Sequence, residues 1–138
     1  MSPRESYALA TYGMYLRIVE HMMGHSSTSS EQELRDAGKA LFASKFDDVY
    51  AFDEFFYQTM YTQKTPKYCI INTDIRAEGG EHWFAWADGH IYDSFGREAL
   101  GDTSGDAEQN IQEKNCGQRC LAWLLVYDTL GSDHALLI

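Results

Sequence analysis

An α+β fold follows from three observations on this 138-residue chain. Two segments near the N-terminus carry apolar residues at helical spacing. The middle holds short apolar runs joined at Asp88-Gly89, a strong two-residue hairpin signal. A last apolar block, Leu121 to Val126, opens on Cys116-Gly117 and runs on to Gly131, a residue type that ends helices. Helices, then a hairpin-containing sheet, then one central helix make an α+β chain rather than an alternating α/β one.

The first helix spans about Glu5 to Met23, where Leu9, Tyr12, Leu16, Val19 and Met23 recur with a helical period broken only by Gly13. Met14, Met22 and Met23 read as core or partner contacts, so dimerisation through these N-terminal helices is left open. His21 and His25, four apart, have a metal-compatible spacing but no thiol or carboxylate motif around them. Gly24 to Ser30 is a polar break and the best candidate linker. It ends in a capping box, Ser30 with Glu33 three residues on, which starts a second helix carrying Leu34, Ala37 and Leu41 on one face.

From Phe42 to Tyr61 the chain is dense in aromatics. The plain reading is a core-facing helix from about Val49 to Tyr61; the functional one is the wall of a substrate groove. Pro66 marks a boundary, and Tyr68 to Thr73 reads as a buried strand. After Glu78-Gly79-Gly80, His82 to Ala87 is a second strand that returns through Asp88-Gly89 as His90 to Phe95. Arg97 to Gln109 reads as a loop with at most a short helix. Cys116 to about Leu130 is the central helix, and His134 to Ile138 is a final edge strand.

At this length the chain is one domain with room for a substantial core. Its net charge of −10 disfavours the polyanionic backbone of nucleic acid, so DNA is not an expected partner. No run approaches the roughly 18 apolar residues of a membrane span. Met1-Ser2-Pro3-Arg4-Glu5-Ser6 lacks a signal-peptide layout, so an intracellular, non-secreted protein is expected. Three cysteines, an odd number, fit a reducing compartment better than a disulfide scaffold. Cys116 and Cys120 have a C-x-x-x-C spacing, but zinc needs two further ligands and neither Cys69 nor His134 brings a companion, so no metal is expected.

A cysteine opening a helix is where a reactive thiolate is stabilised, because the backbone N–H groups there favour negative charge. Of the five histidines, His82 is best placed, at the start of a strand after the permissive Gly79-Gly80. Counting outward from Asp88-Gly89, Ala87 faces His90 and Phe84 faces Asp93, which makes His82 and Asp93 diagonal neighbours on one face. Asp93 can then orient and charge-stabilise His82, and His82 can hold a thiolate at Cys116. An oxyanion hole needs donors as well. The Cys116 N–H is one, and a glutamine just upstream, Gln109 or Gln112, is the second. Cys69, mid-strand, and Cys120, one turn past Cys116, read as packing, and His90 and His134 as surface residues. In the order His, Asp, Cys the set suggests a cysteine hydrolase with no cofactor.

Four runs taken together, Cys69-Ile70-Ile71-Asn72-Thr73, Gly79-Gly80-Glu81-His82-Trp83-Phe84-Ala85, Tyr92-Asp93-Ser94-Phe95-Gly96 and Asn115-Cys116-Gly117, resemble the adenovirus-type cysteine proteases. That family shares a clan with the SUMO- and ubiquitin-like-specific proteases. The similarity covers about residues 29 to 127 and extends to Ser29-Ser30-Glu31-Gln32-Glu33-Leu34. Residues 1–28 stand as an N-terminal helical extension of a single protease domain, 1–138, and the long portion that the family carries after its cysteine helix has no counterpart. The resemblance implies a small mixed sheet with a central helix carrying the nucleophile at its N-terminus. It implies His82 as base, Cys116 as nucleophile and Asp93 as acidic partner, a position held by Glu in the adenovirus enzymes and Asp in the SUMO proteases. Family spacing selects Gln109 for the oxyanion hole; local sequence, Ile111-Gln112, selects and slightly favours Gln112. Trp83, following the histidine, is implied to line the substrate channel.

The substrates implied are viral precursor polypeptides, cleaved after Gly-containing sites during virion maturation in the host cell or virion. The alternatives are an isopeptidase acting on ubiquitin-like conjugates and a catalytically inactive binding module of the same fold. Family members are activated by a viral peptide and by DNA. An activating peptide remains implied, with Cys69 or Cys120 as a candidate tether, whereas the acidic charge argues against DNA.

Overall fold

The computed structural model describes residues 2–62, 67–72, 82–93 and 115–138. The expectations for Pro66, for Glu78 to Glu81 and for Ser94 through Lys114 lie outside the described residues. So do Gln109 and Gln112.

Helix α1, Pro3–Met23, starts with proline in its first turn and the Ser2 hydroxyl accepting from the Glu5 N–H at 3.1 Å. Gly24 ends it at φ 81°, returning its N–H to the Glu20 and His21 carbonyls, a left-handed cap that glycine adopts without strain. Helix α2, Glu31–Phe42, has the expected capping box with both halves formed: Ser30 Oγ accepts from the Glu33 N–H, and the Glu33 carboxylate accepts from the Ser30 N–H at 3.0 Å. Met14 and Met22 are exposed on α1 and only Met23 packs against the core, so the core reading of the methionines holds for one of three.

The aromatic stretch differs from expectation. After a short 3-10 turn at Ala43–Lys45 comes a strand, β1, Phe46–Ala51, and only then a helix, α3, Phe52–Tyr57, continued by one π turn at Gln58–Thr62. The physical reason lies in a register shift between Phe46 and Asp48. The extra residue puts Phe46 and Val49, three apart, on the same buried side, and a spacing of three imitates a helix in sequence. In α3 and its extension Phe52, Phe56, Tyr57 and Tyr61 are exposed. Phe55 alone turns inward, its ring 5.0 Å from that of Trp86.

Strand β2, Tyr68–Asn72, runs parallel to β1 and antiparallel to β3, Trp83–Ala87, which pairs with β4, His90–Tyr92. The order β1-β2-β3-β4 makes a small mixed sheet. Asp88 and Gly89, at φ 48° and 90°, form the tight turn between β3 and β4, both residues in the positive-φ region that such hairpins require. Helix α4, Cys116–Leu130, ends at Gly131 as expected. The expected final edge strand is absent: Ser132–Ala135 forms a short helix, α5, because Ala135 tucks beneath Trp123 and accepts a 2.9 Å hydrogen bond from its indole Nε1.

Side-chain parity sorts the sheet between two cores. Tyr68, Ile70, Trp83, Ala85, Ala87 and Tyr92 face α4, and with α1 and α2 they form the main cluster. Cys69, Ile71 and Phe84 face the other way, under Tyr50, Phe55 and Trp86. Every residue of β2 except Asn72 is buried, as expected for a strand covered on both sides. Helix α1 lies antiparallel on α4, Glu20 beside Asn115 at one end and Tyr7 against His134 at the other. Among the described residues no helix is long and apolar enough to cross a membrane.

Candidate active site

The β3–β4 register is the one counted from the turn, Ala87 opposite His90 and Ala85 opposite Tyr92. Just beyond the strand ends two residues lie together: His82 Nε2 is 2.6 Å from Asp93 Oδ1, both side chains 2% exposed. A hydrogen bond this short between buried groups is what a charge-assisted pair gives. Cys116 also acts on the imidazole, as a neighbour that raises its pKa. With Nε2 held by Asp93, Nδ1 is the nitrogen left to address the sulfur. The three residues singled out in the sequence, from β3, β4 and α4, therefore meet at one point.

The electrostatics follow from that meeting. Burial alone drives the His82 pKa down, but the hydrogen bonds and charges of Asp93 and Cys116 outweigh it, and the pKa rises from the ordinary 6.5 to about 9. Protonated His82 therefore stabilises the fold in full below about pH 6.5, and the contribution is lost as pH rises through about 9. Urea unfolding should accordingly show a loss of stability between pH 7 and pH 10 that is smaller in a His82→Gln variant. An equal loss in both proteins would show that other groups carry it.

Cys116 is the first residue of α4, and Asn115 ahead of it makes no side-chain cap. Its amide instead serves Arg119, whose Nε donates to Asn115 Oδ1 at 3.1 Å, and Glu20, which accepts from Asn115 Nδ2 at 3.4 Å. The opening N–H groups of α4 are thus not taken up by the side chain that usually claims them, and they stabilise negative charge at the helix start. Gly117 lets α2 approach this turn: a Cβ there would sit 2.7 Å from Leu34 Cδ2. Gln118, fully buried, donates through Nε2 to the Ser27 carbonyl, and His25 pairs with Glu33 at 2.8 Å. The stretch read as a linker is in this way fastened to the first turn of α4.

Cys69 and Cys120 are both fully buried. Burial, with Asp47 and Asp48 nearby, pushes the Cys69 thiol well above the ordinary range. Either one reaches a tethered peptide only if the core opens. Trp83 is 2% exposed within the main cluster, and its indole Nε1 has no partner among the described residues. The His90 ring lies tilted against Tyr127 and the His134 ring edge-on to Tyr7. Among the described residues no group of three His, Cys, Asp or Glu is arranged for a metal.

A buried imidazole held by a carboxylate, with a thiol at a helix start as its electrostatic neighbour, is an arrangement that can support nucleophilic acyl transfer. The sequence reading missed the residues around this trio: Tyr12 and Glu20 on α1, and Arg119 and Gln118 on α4. Tyr12 has a visible signal only as an apolar position of the helical repeat, and a hydroxyl's partner cannot be read from periodicity. No family model, no curated protein and no solved structure matches the chain.

Proposed function

We propose that this chain is a cysteine endopeptidase of the adenovirus-protease type, with Cys116 as nucleophile, His82 as acid–base and Asp93 as the group that orients and charges it. The observation that carries the reading is the convergence of a buried 2.6 Å His82–Asp93 pair on the thiol at the start of α4. The Cys116 thiolate attacks the scissile carbonyl, and the developing oxyanion is met by the Cys116 N–H and by a glutamine, Gln112 or Gln109. His82 passes its proton to the leaving amine as the tetrahedral intermediate collapses to a thioester. Water then attacks the thioester with His82 as base and restores the thiol. Trp83, which follows His82 in the chain, is assigned to the substrate channel by the family resemblance. The substrates are viral precursor polypeptides cut after Gly-containing sites in virion maturation.

The test is covalent capture. A peptide ending in Gly-Gly with an electrophilic warhead is expected to label Cys116 and not Cys69 or Cys120, read by peptide mass spectrometry. Cys116→Ala should abolish both labelling and cleavage of a co-expressed Gly-containing precursor. Capture only by intact ubiquitin- or SUMO-based probes would reassign the chain to isopeptidase chemistry. No labelling by any probe, with the fold intact, would leave a binding module.

A further inference from the structure

One hydroxyl in α1 bonds to a neighbour of each half of the site. Tyr12 is 6% exposed, and its oxygen lies 2.8 Å from the Tyr92 hydroxyl, itself on a residue 5% exposed. The same Tyr12 oxygen accepts from Arg119 Nη1 at 3.4 Å. Guanidinium can only donate, so Tyr12 is the acceptor in that bond, while either hydroxyl can donate in the bond between Tyr12 and Tyr92. Tyr92 is the residue before Asp93, stacked on Trp123 at 5.4 Å with the rings 10° apart. Arg119 in turn grips Asn115, the residue before Cys116, and Glu20 of α1 accepts from the same Asn115 amide. The end of β4 that carries Asp93 and the start of α4 that carries Cys116 are thus linked side chain to side chain, through a helix that supplies no group to the reaction.

We propose that Tyr12 is a positioning residue, its hydroxyl fixing the separation of Asp93 and Cys116 by tying Tyr92 to the Arg119–Asn115 pair. The proposal rests on the hydrolase reading above and assigns a role to the N-terminal helix, which is additional to the segment resembling the viral proteases. Catalytic groups need their supporting contacts held tightly, because a small loosening of the His–carboxylate–thiol geometry weakens the charged pair without unfolding anything. Buried hydrogen bonds suit that task, since no water competes for the hydroxyls.

The experiment compares the full chain with Tyr12→Phe, Tyr92→Phe and the double variant. Its readouts are the rate of Cys116 alkylation by iodoacetamide at pH 7, the NMR titration midpoint of the His82 ring, and thermal unfolding. Loss of one buried hydrogen bond should slow alkylation by about three- to tenfold and lower the His82 midpoint by about half to one unit. Each single variant should do this, and the double variant no more than either. If Tyr12→Phe lowers the melting temperature but leaves the alkylation rate and the His82 midpoint unchanged, α1 is structural only and the proposal falls. If Tyr12→Phe does not fold, Tyr92→Phe decides by the same criteria. A wild-type Cys116 that reacts no faster than glutathione would overturn the hydrolase reading and the proposal together. A reactive wild type with unchanged variants overturns the positioning role alone.

Discussion

Replacing Asp93 with Asn is expected to cut turnover by about 10⁴-fold while leaving the fold in place. The asparagine is close in shape, but it bears no charge for the imidazolium, and its NH₂ group can meet His82 Nε2 only by forcing the ring's proton onto Nδ1. The nitrogen facing the Cys116 sulfur then carries the proton in the neutral form, and the imidazole no longer serves as a base toward the thiol. Burial makes the loss larger than on a surface, since both side chains are 2% exposed and no water replaces the missing charge. The comparison variant is Cys116→Ala, with an expected loss of about 10⁶-fold. Turnover of the Gly-containing substrate checks both, with circular dichroism to show that each variant is folded. Activity in Asp93→Asn within tenfold of wild type would remove Asp93 from the mechanism. The alkaline limb of wild-type turnover should fall near pH 9, where His82 gives up the proton that the leaving amine needs.

A second large effect is expected far from the thiol. A Cβ built on Gly38 meets three ring atoms of Phe46 at 2.5, 2.5 and 2.6 Å. Alanine at an interior helix position would ordinarily add about 1 kcal/mol. Here it drives a methyl into a ring that cannot bend away, since Phe46 is 4% exposed and stacked on Phe42 at 6.3 Å. Overpacking of this kind costs about 3 kcal/mol, so Gly38→Ala should lose about 2 kcal/mol net. Pairing it with Phe46→Leu, which withdraws the ring, should recover most of that loss relative to Phe46→Leu alone. Urea denaturation of the four proteins gives the cycle. A neutral or stabilising Gly38→Ala would show that α2 and β1 yield easily. Because α2 also presents Leu34 to Gly117, movement of α2 away from β1 would be felt at the turn that carries Cys116.

Much of the fold was legible because short-range chemistry dictated it. Asp88-Gly89 is a turn whatever surrounds it, and once the turn is known, side-chain alternation places His82 and Asp93 on one face. The Ser30–Glu33 box and Gly131 marked helix ends for the same local reasons, as did the cysteine-led start of α4. The misread stretch shows the limit. Phe46 and Val49 are spaced like helix neighbours, and only a register shift in the pairing with β2 turns that spacing into a strand. Likewise the last residues became helix α5 because Trp123 offered a partner to the Ala135 carbonyl.

For the site, local sequence was enough to single out the candidate groups: the register from one tight turn selected His82 and Asp93, and a helix start selected Cys116. Tertiary structure alone decided that the three converge, that the His82–Asp93 pair is dry, and that Tyr12, Arg119 and Asn115 connect its two halves. The reason is range. Turns, caps and alternation act over a few residues along the chain, whereas a hydrogen bond between Tyr12 and Tyr92 joins positions 80 residues apart and exists only once α1 has packed on α4.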